Sequence, residues 1–185
     1  MLFAKYGLQI IKATQKDIHG GSIRLLVSHL GEYSTCSYVD VLLKSEKYIN
    51  DKYGDRIDET YLKNWSNKIN DHINYSKEFL LNLKNKGHKI AGFGGGGKGC
   101  IYLNSANIDY NLIDYVIDDT DLKQGKFIPG TGIEIFSRDK LKTSPVDYIL
   151  ILVHNFSDYI VDSLKKEYSG KFIVLFPEIK IIENE

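Results

Sequence analysis

Cysteine, proline, methionine and tryptophan are all scarce in this chain of 185 residues: two, three, one and one respectively. Two thiols, Cys36 and Cys100, build neither a disulfide framework nor a four-thiolate zinc site, and neither belongs to a C-x-x-C pair. Net charge is missing too, since 24 Lys and Arg balance 24 Asp and Glu. That balance removes the commonest electrostatic reason to expect nucleic acid or an anionic membrane as partner. Long apolar runs are absent as well. The longest, Tyr148 to Val153, falls far short of the ~20 residues that span a bilayer. The first residues, MLFAKYGLQIIKATQKD, lack the continuous apolar core of a secretory signal. A soluble, cytoplasmic chain is the expectation. With 43% hydrophobic and 26% charged residues, its composition is that of an ordinary globular protein.

What is present falls into three stretches. Residues 1–30 hold two β-type runs, Leu8 to Lys12 and Ile23 to Val27, around a turn rich in glycine, Asp17 to Ser22. Two strands alone are marginal in water and need something to pack on. Residues 31–57 show no sustained period and read as a linker with a short helix around Tyr38 to Asn50. Residues 58–185 begin with a helical pattern. Leu62, Trp65, Ile69, Ile73, Leu80 and Leu83 recur at helical spacings, Asp58 is placed to cap the start, and Asn85-Lys86-Gly87 to stop it. This stripe is expected to face the core, with Trp65 as a packing anchor.

Strand and helix then alternate. Lys89 to Phe93 is a strand, followed by a glycine loop and a helix around Gly99 to Ala106. Tyr115 to Ile117 is a second strand, ending at Asp118-Asp119, and a short apolar segment, Ile133 to Phe136, follows a loop. After a short helix at Ser137 to Leu141, Tyr148 to Val153 is continuously apolar, as strands covered on both faces are. A helix over Asp158 to Tyr168 and a strand over Phe172 to Phe176 complete the series. The succession predicts an α/β fold, a Rossmann-like open and mainly parallel sheet with helices on both faces. Ligands on such sheets bind beyond the carboxyl ends of the strands. Those ends are Gly94 to Gly99 in the glycine loop, Asp118-Asp119, His154-Asn155 and Pro177-Glu178.

The loop, Gly92-Phe-Gly-Gly-Gly-Gly-Lys-Gly99, carries most of the chemistry. Residues without Cβ bring backbone N–H groups close to an oxyanion, the following helix adds a positive dipole end, and Lys98 adds a full charge. Gly94, Gly95, Gly96, Gly97, Lys98 and Gly99 are therefore the expected phosphate site. Several ligands match it. Gly92, Gly94 and Gly97 spell the dinucleotide fingerprint, with Asp118 at the end of the next strand, which points to NAD(P). Gly92, Gly97 and Lys98 resemble a nucleoside triphosphate loop, but Gly99 offers no hydroxyl for magnesium. A loop for S-adenosylmethionine carries an acidic residue just before its first glycine, where this chain has Lys89-Ile-Ala. A tight turn with no ligand is the plain alternative. His29, His72 and His88 stand isolated and have no expected chemical role, and no spacing assigns a nucleophile.

Residues 18–25 (IHGGSIRL), 90–104 (IAGFGGGGKGCIYLN) and 117–135 (IDDTDLKQGKFIPGTGIEI), then an apolar strand, Asn155-Phe156 and FIVLFPE, stand in one order. Together they resemble the carboxy-terminal part of bacterial deoxysugar C-methyltransferases over almost the whole chain. The combination of the glycine-lysine loop with K-Q-G-x-x-I-P-G-T-G-I is specific. The resemblance implies a Rossmann-like accessory domain that binds a nucleotide-linked sugar through Gly94 to Gly99, Asp118, His154 and Asn155. It implies S-adenosylmethionine as methyl donor of the complete enzyme, and a proton removed α to a carbonyl before methyl transfer. The zinc-binding cysteines and the methyl-donor loop of such enzymes have no counterpart here. Residues 1–30 resemble the last two strands of the methyltransferase domain. The expectation is therefore a chain not catalytically complete by itself, either acting with a separate chain that carries the methyltransferase domain or left by truncation of a longer gene. His19 is a catalytic candidate, and no metal ligand is expected. His154 replaces the usual Trp, and Tyr159 stands at a usually acidic position. A free-standing nucleotide-binding domain and a ligand-free interaction domain are the alternatives.

Overall fold

A computed structural model describes residues 2–18, 21–54 and 59–184. The chain divides into two compact units, Met1–Ser66 and Asn67–Glu185. His19 and Asp58 lie outside the described residues.

In the first unit, strands β1 (Leu8–Lys16) and β2 (Ser22–His29) pair antiparallel, and β1 bulges between Ile10 and Lys12. The carbonyl of the bulged Ile11 accepts the Cys36 N–H at 2.8 Å, which delivers the chain into helix α1 (Ser37–Tyr53). Ala13 of β1 and Val39 of α1 are buried. By contrast β2 is exposed along almost its whole length, with Ile23, Leu25, Leu26 and Val27 open. The helix here is a turn longer than its sequence suggests.

Helix α2 (Glu59–Asn85) contains the division between the units. It stops as its sequence predicts: Gly87 takes φ +86°, and the His88 N–H reaches back to the Leu83 carbonyl at 3.2 Å. Its apolar stripe, however, is only half used. Leu80 and Leu83 are buried and Ile73 packs on the core, whereas Leu62, Trp65 and Ile69 are exposed, Trp65 to 58%. Trp65 is therefore not the packing anchor that the periodicity suggests.

The second unit is a six-stranded sheet in the order β5-β4-β3-β6-β7-β8. Strands β3 (Ile90–Phe93), β4 (Tyr115–Ile117), β5 (Ile135–Phe136), β6 (Tyr148–Ile151) and β7 (Lys171–Val174) run parallel, and β8 (Lys180–Ile182) returns antiparallel. The sequence ends its strand series at Phe176. The structure closes β7 at Val174 and adds β8. Alternation sorts the side chains to two faces. Ile90, Val116, Leu150 and Ile173 meet Leu80 and Leu83 of α2 and Leu103 of α3 (Gly97–Ser105). Ala91, Ile117, Ile149 and Phe172 meet Leu141 of α4 (Lys140–Thr143) and Ile160, Val161 and Leu164 of α5 (Ser157–Leu164). This is the mainly parallel α/β sheet expected. The crossovers leave β3 in opposite directions, through α3 to β4 on one side and eventually to β6 on the other. The switch point of the sheet lies between β3 and β6. Among the described residues no helix is long and apolar enough to cross a membrane.

Candidate functional site

The glycine loop and the segment after β6 both stand at that switch point, where doubly wound sheets take their ligands. Gly94 has φ +96°, and a Cβ there would come within 2.8 Å of Val153 Cγ2. A Cβ on Gly99 would come within 2.9 Å of Leu152 Cβ, so the first turn of α3 packs directly against the chain leaving β6. The Gly94 N–H donates to the Ile117 carbonyl at 2.8 Å, which fixes the loop over the end of β4. Gly96 caps α3 in extended backbone without a side-chain bond, and the Cys100 N–H closes the first turn onto its carbonyl at 3.0 Å. Among the described residues the N–H groups of Gly97, Lys98 and Gly99 have no acceptor. As first-turn amides they face out of the N-terminal end of the helix, where its dipole is positive.

Asp118 has a different position from a free ligand-binding carboxylate. It is 6% exposed, and its Oδ2 accepts the Gly95 N–H at 2.8 Å and the Lys123 ammonium at 2.8 Å, while Oδ1 accepts the Thr120 N–H at 2.9 Å. Burial pushes its pKa up, but the Lys123 and Thr120 hydrogen bonds more than offset this and hold it below the ordinary carboxylate value. Asp118 thus ties the glycine loop to the loop after β4. Lys123, five residues on, is a partner that the sequence alone does not single out.

Lys98 reaches the other strand end. Its Nζ donates to Asn155 Oδ1 at 3.1 Å, joining two residues 57 positions apart. Asn155 therefore shares the edge of the glycine loop, and its side-chain oxygen meets Lys98, not backbone. His154, in a 3₁₀ turn that also holds Asn155 and Phe156, lays its ring 5.0 Å from that of Phe176 at 59°. Burial, and then the charge of Lys98, lower the His154 pKa, which favours the neutral imidazole.

Lys98, Tyr102, Leu152, His154, Leu175 and Phe176 line a cavity of about 210 Å³ with largely apolar walls. Tyr102 donates its hydroxyl to Ser76 Oγ at 2.7 Å, and burial raises its pKa. A second cavity of about 310 Å³ is lined by Gly95, Gly96, Cys100, Lys123, Lys126 and Pro129. Phe176 and Tyr102 are missed by sequence reasoning. Phe176 reads in the sequence as the last residue of a strand, before the Pro177-Glu178 end, and nothing in a residue one turn into a helix marks Tyr102 as a wall. His72 is also less isolated than it looks: its ring meets Tyr102 and Phe176 edge-on at 6.5 and 6.1 Å, and its buried Nε2 has no partner among the described residues. No three metal-ligating side chains cluster among the described residues.

The sequence of the chain matches the model of a family described as the C-methyltransferase C-terminal domain, over residues 17–177. It is 29% identical over 189 residues to the C-methyltransferase NovU of Streptomyces niveus, an alignment that covers 100% of this chain and 43% of that protein. The chain spans less than half the length of this curated relative.

Proposed function

This chain belongs to the family of C-methyltransferase C-terminal domains, and from that premise we propose that it binds the nucleotide-linked sugar of a carbon-methylating enzyme, holding the diphosphate at the glycine loop. The observation that carries this reading is the set of N–H groups at Gly97, Lys98 and Gly99, which lack acceptors among the described residues, with the Lys98 ammonium fixed beside them by Asn155. Oriented amides at a helix start, joined by a lysine, are a recurrent way to bind phosphate oxygens.

Methyl transfer to carbon needs a base that takes the proton α to a carbonyl, with the developing oxyanion stabilised while the carbon attacks the methyl group. The family's chemistry implies S-adenosylmethionine as donor for the full enzyme. The residues of this chain do not fit that donor. Ala91 precedes the first glycine, and both oxygens of Asp118 are engaged within the chain. In this reading the donor pocket and the base belong to a methyltransferase domain, on the same or a separate polypeptide, and His19 is a candidate to face the sugar. The present chain holds the substrate's phosphates and so fixes where its sugar lies. A deoxysugar substrate and a cytoplasmic setting belong to the same proposal.

Thermal melts and titrations with nucleotide-linked sugars test it. A ligand of the folded state raises the midpoint with concentration. Lys98→Ala is expected to weaken binding by roughly tenfold, about 1.4 kcal/mol, and to flatten its salt dependence. Equal titrations for the two proteins would remove the phosphate role.

A further inference from the structure

We infer that the cavity between Lys98 and Phe176 is the subsite for the nucleobase of this ligand, so that the nucleotide lies across the ends of β6 and β7 and not over Asp118. The inference rests on the phosphate reading of the glycine loop and adds the direction in which the rest of the nucleotide runs.

In dinucleotide-binding sheets an acidic residue about 20 positions beyond the glycine loop receives the ribose hydroxyls. Asp118 stands at that position, but three donors already fill it: Gly95 N–H, Lys123 Nζ and Thr120 N–H, all within 2.9 Å. A ribose hydroxyl arriving there would have to displace Lys123 or break the tie that holds Gly95. The side of the loop toward β4 is thereby closed to the usual contact.

The other side of the loop has the walls of a ring site. Its cavity of about 210 Å³ is smaller than the ~300–1,000 Å³ that encloses a whole drug-sized ligand, so it takes one part of a nucleotide. Leu152 and Leu175 supply apolar contact, and the rings of His154 and Phe176 stand 5.0 Å apart at 59°. Phe176 is 48% exposed, a large apolar ring left open that a stacked base would cover. The Tyr102 hydroxyl is engaged by Ser76. A neutral His154 adds a hydrogen-bonding edge without a charge, which suits an uncharged heteroaromatic ring. Lys98 belongs to both places: it lines the cavity and stands in the first turn of α3. A base in the cavity therefore directs its attached phosphates along Lys98 toward the free N–H groups of Gly97 to Gly99.

Titration of the chain with inorganic pyrophosphate and with the diphosphates of adenosine, guanosine, uridine and thymidine tests this. At least one nucleoside diphosphate is expected to bind roughly tenfold or more tightly than pyrophosphate. Phe176→Ala and, separately, His154→Ala are expected to remove that gain and to leave pyrophosphate binding unchanged. Lys98→Ala is expected to weaken both ligands. Two separate wall variants guard against either one failing to fold, and thermal melts identify such a failure. If pyrophosphate binds and no nucleoside improves on it, the base subsite is wrong while the phosphate site stands. A gain that survives both wall variants overturns the base subsite equally. If neither pyrophosphate nor any nucleotide binds, the phosphate reading itself fails and this inference with it.

Discussion

A carboxylate as enclosed as Asp118 stays ionised only where donors surround it. Its folded pKa lies below the ordinary 3.8, so the stability it contributes is fully present above that pH and is lost as the pH falls through the lowered value. Asp118→Asn is expected to cost about 2 kcal/mol at neutral pH, in line with charge-assisted hydrogen bonds. Urea unfolding at descending pH should show the gap between variant and wild type closing below 3.8. A gap that does not change with pH would mean that the charge of Asp118 is unimportant. The glycines beside it are not equivalent. A Cβ on Gly97 meets nothing within 4 Å, whereas one on Gly99 meets Leu152 Cβ at 2.9 Å and the Gly94 carbonyl at 3.3 Å. Thermal melts should find Gly97→Ala neutral or more stable by up to about 1 kcal/mol, and Gly99→Ala less stable by about 1–3 kcal/mol. The opposite ranking would contradict the close approach of α3 to Leu152.

Among the elements, α2 shows most clearly how periodicity and burial differ. Leu80→Ala is expected to cost about 2–5 kcal/mol, because Leu80 is fully enclosed. Trp65→Ala should change stability by no more than about 0.5 kcal/mol, as for other exposed positions. As the one tryptophan of the chain, Trp65 also reports directly: its emission should resemble that of the free amino acid in water. A strongly blue-shifted emission would mean that the stripe is covered. The helical spacing from Leu62 to Leu83 was legible in the sequence, but it says only which face is apolar and not which part meets a partner. β3 and β6 were legible because buried parallel strands are apolar at every position, as Ile90 to Phe93 and Tyr148 to Val153 are. β8 was not. Lys180-Ile-Ile182 is too short to carry a period, and it pairs where Phe172 to Val174 of β7 offer a free edge. The site was half legible. Lys98 and Asn155 could be placed at strand ends from order alone, whereas the engagement of Asp118 by Lys123 depends on how one loop folds back.

The second unit as a whole is organised around β3, which pairs with β4 about one helix away and with β6 much further along, Ile90 opposite Tyr148. Pairings so distant in sequence close late in folding, after local ones. A ligand held by both Lys98 and the cavity should therefore bind a form completed after the rate-limiting step. Stopped-flow kinetics with a bound nucleoside diphosphate should show slower unfolding and an unchanged refolding rate. Faster refolding would place the pocket early. The bond between Lys98 and Asn155 has one more consequence. It crosses the line where the sheet's two halves diverge, β3-β4-β5 on one side and β6-β7-β8 on the other. That line is a seam, stitched along its length by the backbone ladder and at its rim by this side-chain tie. A nucleotide lying from the cavity to α3 would add a second stitch, so that binding stiffens the two halves against shear without moving either.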